Sequence, residues 1–265
     1  MPGGPQPMER ARRLALAREI AAQFQRHYGD QVLAIGVYGS LARGTDGPYS
    51  DIEMHCVLRG SGIERCFEWA AGPFDEFRAG SWKAEVDVYS EDVLLRWAAG
   101  VDGDWSLTHR VCTDVWALYD PTGFFPRLRD VALSQPDGVF ERVIHDVIVG
   151  ELYELVGKIR NVRAAQYEAC LAYLAVEFAE YGAFLVGLAN RYLYTTSTRM
   201  FEESLVLPDR PAGYDGLCHM VMAGELADPA QIAETCEACW SGIEHWAEER
   251  EIQIEEDLEA LLSEA

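Results

Sequence analysis

The chain has 265 residues, 49% of them hydrophobic, and 22 Lys+Arg stand against 44 Asp+Glu for a formal net charge of -22. Its length favours two domains over one; no run nears the roughly 18 consecutive apolar residues of a membrane span, and so negative a field repels nucleic acid while attracting polycations. A soluble, cytoplasmic protein is expected, since the opening MPGGPQPMERARR lacks the apolar core of a secretory signal and seven cysteines, an odd count mostly within apolar runs, suit buried reduced thiols.

From Glu9 to Tyr28, the residues Leu14, Ala17, Ile20, Ala21 and Phe24 recur at helical spacing and predict an amphipathic helix. QVLAIGVYG at 31–39 reads as a buried strand ending at glycine, and DIEMHCVL at 51–58 as a second strand. WKAEVDVYS at 82–90 alternates throughout and predicts a third strand, and VCTDVWALYD at 111–120 a fourth. Helices are expected at 61–71 and 91–99, which makes a mixed α/β unit built around one sheet. After Asp120-Pro121-Thr122-Gly123 the strand-like runs vanish, and helical patterns cover 138–164, 168–192, 198–206, 214–225 and 229–249. The expectation is therefore an α+β chain, with a sheet domain over 1–122 and a helical bundle over 123–265. Within the bundle, Cys236 and Cys239 form a C-x-x-C with no second pair to complete a zinc site, and read as packing residues. The tail EEREIQIEEDLEALLSEA is acidic and reads as a surface helix or a partly disordered segment.

The stretch GVYGSLARGTDGPYSDIEMH, from Gly36 to His55, carries most of the chemistry. A Gly-Ser turn after a buried strand leaves backbone N–H groups and the Ser40 hydroxyl pointing outward, as an anionic phosphate requires, although Ser40 alone serves equally well as a helix cap. On the strand that follows, Asp51 and Glu53 project from one face while Ile52 and Met54 pack on the other. Two such carboxylates repel unless a cation sits between them, and an all-oxygen donor set suits Mg²⁺ beside triphosphate oxygens. In WKAEVDVYS, Lys83, Glu85 and Asp87 share a face, so this strand offers a third acid, with the pattern leaving Glu85 and Asp87 both open. His55 shares parity with Asp51 and Glu53 but reads as a hydrogen-bonded structural histidine, because Mg²⁺ prefers oxygen. Glu154 and Lys158, four apart on a helix, form at minimum an exposed ion pair, with Glu151 a turn earlier.

The order of Gly39-Ser40, Asp51-Ile52-Glu53 and then Glu85 resembles the nucleotidyltransferase superfamily that includes polymerase-β-like enzymes. GVYGSLARGTDGPYSDIEM, KAEVDVYSED, DWSLTH, ELYELVGKIRN, YTTS and GYDGLC, in this order, are similar to the kanamycin nucleotidyltransferase (aminoglycoside 4'-O-nucleotidyltransferase) family over roughly residues 12 to 247. The resemblance implies a polymerase-β-like mixed sheet followed by a helical bundle. It also implies transfer of a nucleoside monophosphate from Mg²⁺-bound ATP or another nucleoside triphosphate to an aminoglycoside hydroxyl, with release of pyrophosphate. On that resemblance Ser40, Arg43 and Ser50 lie near the phosphates, Asp51 and Glu53 are metal ligands, and Glu85 is the third acid, near metal and substrate. Glu154 matches the general base, Lys158 a group reaching the phosphates, and Thr196 a peripheral nucleotide contact, while Lys83 and Glu151 join Glu85 on the substrate side. Gly150 departs from the family, which has an acid there that helps to bind the drug. A homodimer with shared sites is implied as well, with no nucleic acid or membrane partner. Two competing readings keep the fold: transfer to another small molecule or a protein, and a nucleotide-binding module without catalysis.

Overall fold

The computed structural model describes residues 4–71 and 82–254, so the last part of the acidic tail lies outside the described residues. The chain forms two compact units, one of Met1–Gly100 with His109–Gln135, the other of Val101–Thr108 with Pro136–Ala265.

In the first unit, α1 (Arg10–Tyr28) leads into β1 (Val32–Val37), the short α2 (Gly39–Arg43) and β2 (Ile52–Leu58). There follow β3 (Glu64–Ala71), β4 (Trp82–Ser90), α3 (Glu91–Ala99), α5 (Arg110–Thr113), β5 (Trp116–Tyr119) and α6 (Phe124–Leu133), with α4 (Trp105–Thr108) belonging to the second unit. The sheet order is β3-β4-β2-β1-β5; β2 and β4 run parallel and every other pair is antiparallel. Period-two alternation sorts its faces. Even positions Ile52, Met54, Cys56, Trp82, Ala84, Val86 and Val88 bury against Leu16, Ala17 and Ile20 of α1. On the opposite face Leu33 and Val57 pack with Leu94 of α3 and with Phe124, Phe125 and Leu128 of α6, leaving the odd positions at the start of β2 and β4 for polar side chains.

Three expectations need correction. Residues 64–71 form a strand rather than a helix, because β4 supplies an antiparallel ladder that local spacing does not reveal. The expected strand at 111–120 divides into α5 and the four-residue β5. The chain also crosses between units at 100/101, 108/109 and 135/136 rather than once at 122/123. Helix α6 stays with the sheet because the Asp120 carboxylate accepts from the Phe124 and Phe125 N–H groups at 2.8 and 3.0 Å, and Phe124, Phe125 and Leu128 are buried there. Pro126 falls in the first turn, where a missing N–H costs nothing.

The second unit is helical: α4, α7 (Asp137–Asp146), α8 (Tyr153–Ala164), α9 (Leu171–Ala189), α10 (Met200–Ser204), α11 (Tyr214–Ala223) and α12 (Pro229–Glu248). Helix α9 is its axis. The stretch Glu168–Ala189 is long and apolar enough to cross a membrane by length and composition, but Leu171, Leu174, Phe178, Leu185 and Leu188 are buried in the bundle core. The segment 101–108 joins this core through Trp105, which meets Phe140 edge-on at 4.9 Å, and through Ser106, whose Cβ lies where a side chain on Gly187 would begin. Cys236 and Cys239 are fully buried here, and burial pushes the Cys236 thiol up to about 12, as packing residues require. Between α7 and α8 the backbone continues as a π-helical segment, Val147–Leu152, containing Gly150.

Candidate functional site

In the first unit the site is built from the turn after β1 and the odd face of β2 and β4. Gly39 holds φ +67°, and a Cβ there would fall 1.9 Å from Glu53 Oε2, so only glycine lets the turn lie against that carboxylate. The Tyr38 N–H donates to the Glu53 carbonyl at 2.9 Å and fixes the register between turn and strand. Ser40 and Arg43 lie on α2, whose C-terminal Gly44 and Thr45 both return N–H bonds to the Ser40 carbonyl. The Ser50 hydroxyl accepts from the Gly47 N–H at 3.0 Å, closing the turn that delivers Asp51 to the start of β2.

Parallel pairing sets Glu53 opposite Glu85 and His55 opposite Asp87. Lys83 stands among the acids, with Nζ 2.6 Å from Glu68, 3.6 Å from Glu85 and 3.9 Å from Asp51. Its hydrogen bond to Glu68 raises its affinity for the proton, and the charges of Glu68, Asp51 and Glu85 add to that. Glu53 is the strained member: burial, then the neighbouring charges of Asp51 and Glu85, push its carboxyl up to about 7, with Arg43 and Lys83 opposing. Burial and the Asp87 charge also raise Glu85. Asp87 is engaged, accepting from the Tyr38 hydroxyl at 2.9 Å and hydrogen-bonding Cys66. The charges of Asp51 and Glu85 thus both act on Glu53, a repulsion that a divalent cation would relieve, and carboxylate oxygens suit Mg²⁺; the described residues whose donor atoms lie within 4.8 Å of one another are Glu85 and Asp87 with Cys66.

His55 has the structural role expected of it. It is buried, stacks on Tyr38 at 4.3 Å between ring centres, and its Nε2 lies 3.2 Å from the Val111 carbonyl. Burial pushes it down to about 4, which keeps the ring neutral. His109 is similar, with Nε2 3.2 Å from the Trp97 carbonyl. Glu68 and Tyr38 were missed from sequence; reading 64–71 as a strand would have placed Glu64, Cys66 and Glu68 on one polar face beside β4.

The remaining expected residues lie in the second unit. Glu154 and Lys158 pair at 2.8 Å on an exposed face of α8, and that hydrogen bond, with Glu177 and Glu151 nearby, raises the Lys158 proton affinity. Glu151 hydrogen-bonds Tyr181 and lines a cavity of about 520 Å³ together with Asp102, Asp104, Asp146 and Phe184. Asp102 is pushed up to about 6 by burial and by its hydrogen bond to Asp104. Glu151 was expected on the substrate side, whereas Asp102, Asp104 and Asp146 escaped sequence reading because 101–108 and the helices around it meet only in the fold. Thr196 is half-buried after α9, at the start of the turn Ser197–Arg199, and its carbonyl accepts from the Arg199 N–H at 3.0 Å.

Residues 122–253 match the KNTase C-terminal domain family. A crystal structure of a nucleotidyltransferase-like protein from Exiguobacterium sibiricum superposes with a TM-score of 0.54 at 10% identity, covering 88% of this chain and 75% of that one, a likeness of fold. An aminoglycoside nucleotidyltransferase (4') from Staphylococcus aureus is 42% identical over 245 residues, 92% of this chain and 94% of its own. A protein of the same description from Bacillus sp. matches to the same extent. With this identity along nearly the whole length of both relatives, the chain belongs to the aminoglycoside nucleotidyltransferase (4') family.

Proposed function

We propose that the protein is a cytoplasmic antibiotic-resistance enzyme that transfers a nucleoside monophosphate from Mg²⁺-bound ATP, or another nucleoside triphosphate, to the 4'-hydroxyl of an aminoglycoside. The observation that carries this reading is the packing of Glu53 against Gly39, which sets the acid cluster directly beside the phosphate-binding turn. Asp51, Glu53 and Glu85 would hold the metal, which when bound withdraws charge from the triphosphate oxygens. Ser40, Arg43, Ser50 and Lys158 bind and orient the phosphates, with Thr196 a peripheral contact to the nucleotide. Glu154 accepts the proton of the sugar hydroxyl. The oxygen so released forms a bond to the α-phosphorus, the bond from that phosphorus to the bridging oxygen breaks, and pyrophosphate leaves.

The acceptor side rests on charge. An aminoglycoside is a polycation, and Glu151, Asp102, Asp104 and Asp146 give one cavity of the second unit an anionic lining, while Lys83 and Glu85 are the substrate-side residues of the first unit. The working assembly is a homodimer with shared sites.

The test is pyrophosphate release from Mg²⁺-ATP by purified protein with kanamycin, with tobramycin, and with an analogue lacking the 4'-hydroxyl. Release should need metal and drug together and should fail with the deoxy analogue. Release that is equal without drug, or undiminished in Glu154→Gln, would overturn the assignment of acceptor or base.

A further inference from the structure

We infer that Asp46, clamped by Arg10 and Arg13, is a positioning residue for nucleotide binding. It sets the span between the phosphate-binding turn and the carboxylates that follow. This rests on the proposed function of those groups.

The loop from Gly44 to Ser50 joins α2, which carries Ser40 and Arg43, to the Asp51 and Glu53 face of β2. Apolar packing does not hold this loop: Gly44, Thr45, Gly47, Pro48 and Tyr49 are exposed, Tyr49 by 63%. Asp46 is the exception, its side chain 1% exposed. One carboxylate oxygen accepts from Arg10 Nη1 and the other from Arg13 Nη1 at 2.5 Å.

The same two guanidinium groups bind the backbone on either side. Arg10 Nη2 donates to the Leu41 carbonyl of α2 at 2.9 Å, and Arg13 Nη2 donates to the Pro48 carbonyl at 2.9 Å and the Met8 carbonyl at 3.2 Å. The Met8 N–H returns to the Pro48 carbonyl at 2.8 Å. Arg13 is itself 1% exposed, a fixed point on α1, which packs on the sheet. The end of the phosphate turn, the middle of the loop and its last bend are therefore all referred to one rigid helix. A planar guanidinium with several donors in fixed directions suits this, whereas a lysine would hold only a point.

A device of this kind acts on geometry. Displacement of reacting groups by about 1 Å costs on the order of a hundredfold, so loosening the clamp should weaken nucleotide binding selectively. We would measure the affinity of a nonhydrolysable Mg²⁺-ATP analogue by calorimetry, and KM for ATP and for kanamycin, in Asp46→Asn, Asp46→Glu and Arg10→Gln. Arg10 is 39% exposed, so Arg10→Gln tests the clamp even if Asp46→Asn does not fold.

The expected result is a nucleotide Kd and KM raised about tenfold in Asp46→Asn and about threefold in Arg10→Gln, with partial recovery in Asp46→Glu and an unchanged KM for kanamycin. A purely structural role would lower the melting temperature or the active fraction and leave both KM values in place, which would overturn the inference. So would an unchanged nucleotide Kd in Arg10→Gln. If the unaltered protein fails to bind the analogue, the proposed function falls and the inference falls with it. If the unaltered protein and the variants bind equally, only the positioning role is lost.

Discussion

Glu53→Gln should make the metal-free protein more stable at alkaline pH while destroying its response to Mg²⁺. The Glu53 carboxyl is held at about 7 against an ordinary 4.5, so ionising it in the fold costs about 3 kcal/mol at about 1.4 kcal/mol per pH unit. Because the folded value is the higher one, the stability that this carboxyl contributes is fully present below pH 4.5 and is lost as the pH rises through about 7. A glutamine escapes that loss. For a chain of this size 1 kcal/mol corresponds to roughly 2–4 °C, so calorimetry in chelator should find the variant melting up to about 6–12 °C above the unaltered protein at pH 8. The gap should close near pH 4.5, and Mg²⁺ at pH 8 should raise the melting temperature of the unaltered protein alone. A variant that is less stable at pH 8, or a difference that does not change with pH, would refute the account of the acid cluster as a repulsive site awaiting a cation.

Gly39→Ala should abolish binding of the ATP analogue by calorimetry, since the new methyl takes the place of Glu53 Oε2; Gly44→Ala, also at positive φ but 3.7 Å from the nearest atom of Arg10, should cost about 1 kcal/mol in a urea titration and retain binding. His55 should show no imidazole titration by NMR between pH 8 and pH 5, because burial holds it near 4. Its folded value lies below the ordinary 6.5, so the stability it contributes is present above that pH and is lost as the pH falls through about 4.

The acid-bearing strands were legible because β4 alternates buried and half-buried positions throughout and β2 does so at its start, before both its faces become buried, which writes the facing residues directly into the sequence: Ile52 and Met54 inward, Asp51 and Glu53 outward. The β3 strand was not legible. It lies at the sheet edge, where most of its side chains are exposed, and no alternation of burial marks it. Helix α6 was missed because its cap comes from Asp120, outside the helix, while Pro126 interrupts the local pattern. Sequence left the third acid open between Glu85 and Asp87. In the fold Asp87 is bonded to Tyr38 and Cys66, and Glu85 stands opposite Glu53. The Arg10–Arg13–Asp46 clamp was illegible for another reason, since residues 33 and 36 apart reveal no partnership by spacing.

The π-helical turn at Val147–Leu152 ties the direction of Glu154 to chain length. Phe140, Ile144, Ile148, Leu152 and Val156 are all buried in the bundle core at successive steps of four. In a pure α-helix each such step turns the side chain about 40° further round, and the row would leave the core before Val156. The wider turn takes up one extra residue and returns the row to the core. Removing the residue that the turn takes up would restore α-helical winding and leave Glu154 and Lys158 facing as they do, whereas an insertion or deletion that the turn does not absorb would rotate both by about 100° relative to α7. If Glu154 is the base, as proposed above, its reach toward one sugar hydroxyl or its neighbour is open to change by insertion and deletion as well as by substitution. Gly150, the position at which the sequence resemblance led us to expect an acid, lies within the segment where such a change would act.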